Sequence, residues 1–300
     1  MKRNTLKVEM RGMLIGLVGV AMFSLTLPIT KIALEALNPY FISFGRATLA
    51  GLAALIYVIS IKAPIPEPQT LKKLGIIVLG VIVGFPLLLT LALDQGSSSH
   101  GAIVIGILPL VTSIVGAIRF KERPSIGFWI AAIVGAGLVL TYALITGSGQ
   151  LSQMDILLVL ACIFSAIGYA EGAELSRRIN PKLVISWALI VSLPLNGLIT
   201  VLNFEESFLR AEAQVWIAFV YLGLFSMYIG FFFWYAGLAK GGIARVSQVQ
   251  LVQPFLTLVA GSLLIGEAIT WINIVFATLV VISVMVGKSM LIKRQSITSD

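Results

Sequence analysis

The chain has one cysteine, one histidine and few charges, and each scarcity removes a class of function. Cys162 alone forms no internal disulfide and no cysteine metal site. His100 alone, with carboxylates at no recognisable ligand spacing, offers no metal centre. Charged residues make up 11% of 300, against about 25% in soluble domains, too few to cover the outside of a soluble protein of this size. There is no Walker loop, no dinucleotide fingerprint and no extramembrane ATPase segment. No cofactor is therefore expected. An intramembrane enzyme needs a nucleophile and base converging at depth. Ser165 and Ser247 are present, but the histidine falls at a membrane edge, so an enzyme is not expected.

What is present is hydrocarbon: hydrophobic residues reach 58%. Uncharged runs cover 12–30, 74–93, 101–118, 183–204, 213–239, 246–266 and 268–287, each near or above the roughly 18–20 residues that cross a bilayer as a helix. Ten spans are predicted at about 12–32, 41–61, 72–93, 101–118, 125–146, 154–174, 183–204, 213–236, 244–265 and 269–288. The N-terminal basic residues and apolar run resemble a signal peptide, but the run is long and lacks a small-residue cleavage site, so an uncleaved first helix is expected. A net charge of +8 would suggest nucleic acid in a soluble chain. Here 18 of the 21 Lys and Arg fall on one side of the ten-span topology, with only Lys31, Arg46 and Arg210 on the other. That bias is the positive-inside rule and places both termini in the cytoplasm. No nucleic-acid partner is expected; the partners are a lipid bilayer and a small-molecule solute.

The chain repeats itself. Pro109 to Glu122 has the spacing of Pro254 to Glu267, Thr112 and Thr257 each follow the proline by three residues, and Asn38-Pro39 is answered by Asn180-Pro181, a repeat of about 142–145 residues. The predicted units are 1–148 and 149–300, five helices each. An odd number of spans per unit inverts the second repeat, which places a solute site near the midplane between the repeats.

The stretch Phe23 to Arg46, the run Leu93 to Gly137 and above all Tyr221 to Gly287 resemble the drug/metabolite transporter superfamily and its EamA-type domain. The resemblance implies an all-α membrane protein of ten helices in two inverted repeats, exporting amino acids or related metabolites across a bacterial cytoplasmic membrane. A multidrug, phosphorylated-sugar or nucleotide-sugar carrier of the same fold is the alternative, as is a non-transporting receptor. Phosphorylated cargo would favour several cavity cations, and Arg46 is the one candidate.

The mid-span prolines Pro109 and Pro254 lack an N–H and free the carbonyls of Ile105 and Gln250. Such carbonyls are tolerated in a membrane where they face protein or water, so both kinks are expected to line a central cavity and to gate it. Beside Pro254 the second repeat carries Ser247, Gln248, Gln250 and Gln253 where the first has Ala102, Ile103, Ile105 and Leu108. These amides are expected to hydrogen-bond a polar solute, the alternative being bonds between helices. Arg46 lies seven residues past Pro39, about 10 Å into its span; it either anchors a carboxylate or phosphate, or pairs structurally or snorkels. Tyr228, with Tyr221 and Phe232, is a candidate apolar wall, and Trp216, Trp234 and Tyr235 are expected at the interfaces.

Glu171 and His100 are the candidates for proton coupling, with an ordinary loop position as the alternative for His100. Glu174 is expected to pair with Arg177 or Arg178. Glu122 and Glu267 each close a span before the next helix, where a cap or elbow role is expected rather than acid–base chemistry, one inside and the other outside.

Overall fold

The computed structural model describes residues 2–119, 123–146, 150–241, 246–289 and 292–293. Ten apolar helical segments run through them. Eight are long enough to cross a membrane: Met10–Leu34 (span 1), Pro39–Ser60 (span 2), Pro68–Gln95 (span 3), Ser98–Gly116 (span 4), Trp129–Thr146 (span 5), Gln153–Leu175 (span 6), Pro181–Leu202 (span 7) and Ala213–Gly241 (span 8). Two shorter ones, Val249–Ile265 and Trp271–Val286, complete the second repeat as spans 9 and 10. Their outer faces are hydrocarbon: Ile56, Ile133, Val201 and Leu263 are 71–80% exposed, a surface that fits lipid and not water.

The starts of the spans follow from their capping residues. Asn38 is extended, accepts from the Phe41 N–H at 2.8 Å and puts Pro39 in the first turn. Asn180 likewise accepts, from the Lys182 N–H at 3.0 Å, and puts Pro181 in the first turn. Ser152 and Asp155 form a reciprocal capping box at the head of span 6. Each cap satisfies N–H groups that the first helical turn leaves without partners.

The two repeats also share departures from α-geometry. Spans 3 and 8 both pass through π-helix, at Val78–Gly84 and Leu222–Ile229, whose starts lie 144 residues apart. Span 4 breaks between helices Ser98–Ile105 and Leu108–Arg119, just before Pro109. Span 9 tightens to a 3-10 turn over Ser247–Val252, just before Pro254.

Packing between the repeats obeys a pseudo-two-fold. Span 1 lies against span 8, and span 3 against span 6, which exchange under that operation; spans 2 and 7, 4 and 9, and 5 and 10 pair across the axis. Glycine makes the closest approaches: a Cβ on Gly237 would sit 2.8 Å from the Gly16 nitrogen, and one on Gly80 2.8 Å from Gly168 Cα. Spans 2 and 7 add a Thr48–Thr200 hydroxyl bond at 3.0 Å. Past spans 4 and 10, Arg123 and Pro124 pair antiparallel with Lys293 and Ile292, which fixes those two segments on one face.

One expectation changes. Trp234 and Tyr235 do not face an interface: both are fully buried, and the Tyr235 hydroxyl donates to the Gly168 carbonyl at 3.3 Å. The bare glycine surfaces of spans 1 and 6 leave room for these rings, and Gly172 lies directly against Tyr235. Glu122 and the boundary expected after residue 148 lie outside the described residues.

Gly237→Val should lower the thermal unfolding midpoint in detergent, because overpacking costs about 1–3 kcal/mol; Gly197→Ala, with nothing within 4 Å of its Cβ, is the silent control. In a Cys162→Ser background, Glu67→Cys and Glu212→Cys occupy equivalent loops of the two repeats. An impermeant thiol reagent should label them from opposite faces of the membrane; labelling from one face rejects the inversion.

Candidate functional site

Two small gaps lie where the repeats meet. The first, about 20 Å³, is lined by Phe23, Thr26, Leu27, Arg46, Val81, Phe85, Leu108, Tyr169, Ser226, Phe231 and Gln253. The second, about 10 Å³, is lined by Leu27, Ala102, Ile105, Gly106, Leu108, Pro109, Gln250, Gln253, Pro254 and Thr257. Leu27, Leu108 and Gln253 border both. Volumes this small hold about one water each, so the centre of the molecule is closed in this conformation.

Arg46 dominates the first gap. It is 2% exposed, so it does not snorkel. Its Nη2 donates to Ser226 Oγ at 3.3 Å, and that oxygen is shared with Thr26 Oγ1 at 2.8 Å. Nε and Nη1 have no partner, and among the described residues no carboxylate pairs with the guanidinium. A buried cation without counter-charge is strongly unfavourable. The repeat-equivalent position, Ala188, carries none.

The second gap is amide-lined. Gln250 is 2% exposed, and both its side-chain oxygen and nitrogen lack partners. Residues three apart eclipse each other in a 3-10 helix, which brings Gln250 and Gln253 to one side. The same tightening corrects one expectation: the carbonyl of Gln250, deprived of a donor by Pro254, accepts the Gln253 N–H instead. Both prolines line this gap, and the Gly106 Cβ position is 3.2 Å from Pro254 Cγ, where the two broken spans touch. The side chain of Gln248 lies outside the described residues.

Tyr228 is not among the residues lining either gap. Its hydroxyl is bonded to Ser186 at 2.8 Å and its ring meets Phe232 edge-on at 4.5 Å. The rings at Arg46 are instead Phe23, Phe85, Tyr169 and Phe231, with Phe23 and Phe231 at 5.1 Å and Tyr169 and Phe231 at 6.1 Å. They come one each from spans 1, 3, 6 and 8, brought together by packing between spans far apart in sequence, which aromatic density along span 8 alone does not reveal.

Polar contacts tie the repeats together at the two ends. At the Lys- and Arg-rich end Glu171, 3% exposed, meets Arg119 Nε at 3.3 Å and Lys73 Nζ at 3.8 Å. Nearby, Glu174 pairs with Arg177 at 3.7 Å and Arg178 at 3.5 Å. At the opposite end Glu267 accepts from the backbone N–H and hydroxyl of both Ser98 and Ser99 at 2.5–2.9 Å, capping span 4 from the other repeat. Beside it His100 Nε2 lies 2.6 Å from Asp155 and Nδ1 3.2 Å from Thr146 Oγ1. These groups border a cavity of about 530 Å³ that is separate from the central gaps. His100 and Glu171 therefore lie outside both gaps.

A duplicated helical bundle clad in hydrocarbon, with unpaired polar groups turned to its centre, has the architecture of a membrane transporter. Residues 10–143 and 152–286 each match the EamA-like transporter family, and the chain belongs to that family. It is 40% identical over 260 residues to "Uncharacterized transporter YdeK" of Bacillus subtilis, spanning 87% of this chain and 91% of that one. It is 25% identical over 284 residues to a "Probable amino-acid metabolite efflux pump" of Salmonella typhimurium, spanning 89% and 91%. A solved crystal structure shares the fold, with a TM-score of 0.68 at 17% identity over 92% of this chain and 98% of its own.

Glu267 sets a pH test outside the spans. Burial alone would raise its carboxyl, but hydrogen bonds from Ser99 and Ser98 outweigh burial and hold it below the ordinary glutamate value. A depressed native pKa contributes stability above the unfolded value that is lost as pH falls through the native value. Glu267→Gln should therefore cost about 1–2 kcal/mol at neutral pH, the worth of a helix cap, and flatten the acid limb of a stability–pH curve. An acid limb unchanged in the variant would remove Glu267 from that role.

Proposed function

We propose that the protein exports amino acids or related small metabolites across the cytoplasmic membrane, with both termini inside. Arg46 and the amides of Gln250 and Gln253 hold the solute in turn from either side. The observation that carries this reading is the Arg46 guanidinium, buried at the junction of the repeats with Nε and Nη1 unpartnered. A group in that state stands ready for an anion, and a solute carboxylate supplies one with bidentate geometry. The efflux pump of Salmonella typhimurium, similar over most of both chains, supports cargo of this size and kind.

Alternating access fits the same geometry. Both prolines border one gap, so small movements of spans 4 and 9 about their broken segments open it. The ionic contacts of Glu171 at one end and the Glu267 cap at the other join opposite repeats, so each must loosen when its end opens. Phosphorylated cargo gains no support: among the described residues lining the gaps, Arg46 is the one cation. Proton coupling gains none either, since Glu171 and His100 are engaged elsewhere.

Reconstituted protein should move at least one solute from a panel of amino acids, carboxylic acids, nucleosides and sugars. Arg46→Gln should slow carboxylate flux about ten- to a hundredfold, the worth of a charged hydrogen bond. Gln250→Leu combined with Gln253→Leu should slow polar solutes while leaving the protein monodisperse. Wild-type rates in either variant would sink the assignment of these residues.

A further inference from the structure

The central gaps contain one formal charge and no charge to oppose it. Among the described residues lining them there is no aspartate or glutamate; Arg46 is flanked by Thr26, Ser226 and Gln253 and by four aromatic rings. Three acids of the neighbouring helices are committed elsewhere, Glu171 to Arg119 and Lys73, Asp155 to His100 and Ser152, Glu267 to Ser98 and Ser99, while Glu35 and Asp94 are exposed at span ends.

This imbalance decides more than the presence of a carboxylate on the cargo. A carboxylate placed on Arg46 leaves the buried site neutral. An α-ammonium brought in beside it restores an uncompensated buried charge, which is as unfavourable as the one just neutralised. The amides of Gln250 and Gln253 offer dipoles and no charge. Aromatic faces do attract cations, but the rings of Phe23, Tyr169 and Phe231 pack on one another at 5.1 and 6.1 Å and border the guanidinium itself, so an ammonium there meets a like charge.

Resting on the carrier reading above, we propose that within that cargo class the site favours the related monoanions of net charge −1, a carboxylate without a neighbouring ammonium, over the zwitterionic amino acids themselves, and that the membrane potential drives them out. The second half follows from the first. An anion leaving a compartment that is electrically negative inside runs down the potential, and among the described residues no lining carboxylate is present to carry a proton with it. Export then needs no coupled ion.

The test uses wild-type proteoliposomes loaded with one of three compounds sharing a side chain: 4-methyl-2-oxopentanoate, N-acetylleucine and leucine. Efflux is followed at zero potential and at an inside-negative potassium diffusion potential, against protein-free vesicles. The two monoanions should leave at least about tenfold faster than leucine, given the disadvantage of an unpaired buried charge, and the potential should accelerate them several-fold without affecting leucine. Arg46→Gln should reverse the preference toward leucine. Leucine efflux equal to or faster than that of the anions, or anion efflux indifferent to potential, overturns the proposal and leaves the carrier standing. No flux of any of the three also overturns it, and silence across the wider panel removes the carrier reading itself.

Discussion

In hydrocarbon a polar group has no solvent to fall back on, and every polar atom in this molecule answers to that constraint. Backbone groups close on themselves in helices. Serine and threonine hydroxyls turn back to carbonyls four residues earlier, as at Thr30, Thr90 and Ser186. Span heads are closed by Asn38, Asn180, Ser97 and Ser152. Against that background the unpaired atoms of Arg46 and Gln250 are exceptions, and both face the place where the repeats meet. Other buried polar atoms also lack partners, among them Ser165 Oγ, Asn196 Oδ1 and Trp234 Nε1, but the guanidinium is the charged group among them that lies at the junction of the repeats.

Duplication supplies the geometry for those exceptions, and divergence supplies the chemistry. At the central gap Leu108 answers Gln253 and Ile105 answers Gln250 across the pseudo-two-fold. The first repeat contributes mostly hydrocarbon at these positions and the second adds polar groups. Arg46 breaks the symmetry in the other direction, with Ala188 opposite. An inverted pair of equal units would give a symmetric hole; unequal side chains give it a charged wall and an amide wall.

Much of this was legible in the sequence, because the signals were local or periodic. Uncharged runs placed the spans to within a few residues, and Asn38-Pro39 and Asn180-Pro181, read there as a repeat, prove to be helix starts, each a side-chain acceptor followed by a residue with no N–H to satisfy. The pairing of Glu174 with its arginines followed from helical spacing. What escaped depends on neighbours distant in sequence. Glu267 finds its serines 169 residues away. Trp234 and Tyr235 carry an interfacial composition, yet glycines on other spans admit them to the interior. Tyr228 was singled out by the density of rings around it, while the rings at Arg46 come one from each of four spans.

The π-helical segments of spans 3 and 8 carry a mechanical consequence. Each stores a surplus residue in its turn, and Phe85 follows Val78–Gly84 directly while Phe231 stands two positions after Leu222–Ile229. Returning either segment to ordinary α-geometry would advance all that follows by one residue, a rotation of about 100°. Each phenylalanine would then swing away from the guanidinium with the stretch of helix that follows its own segment.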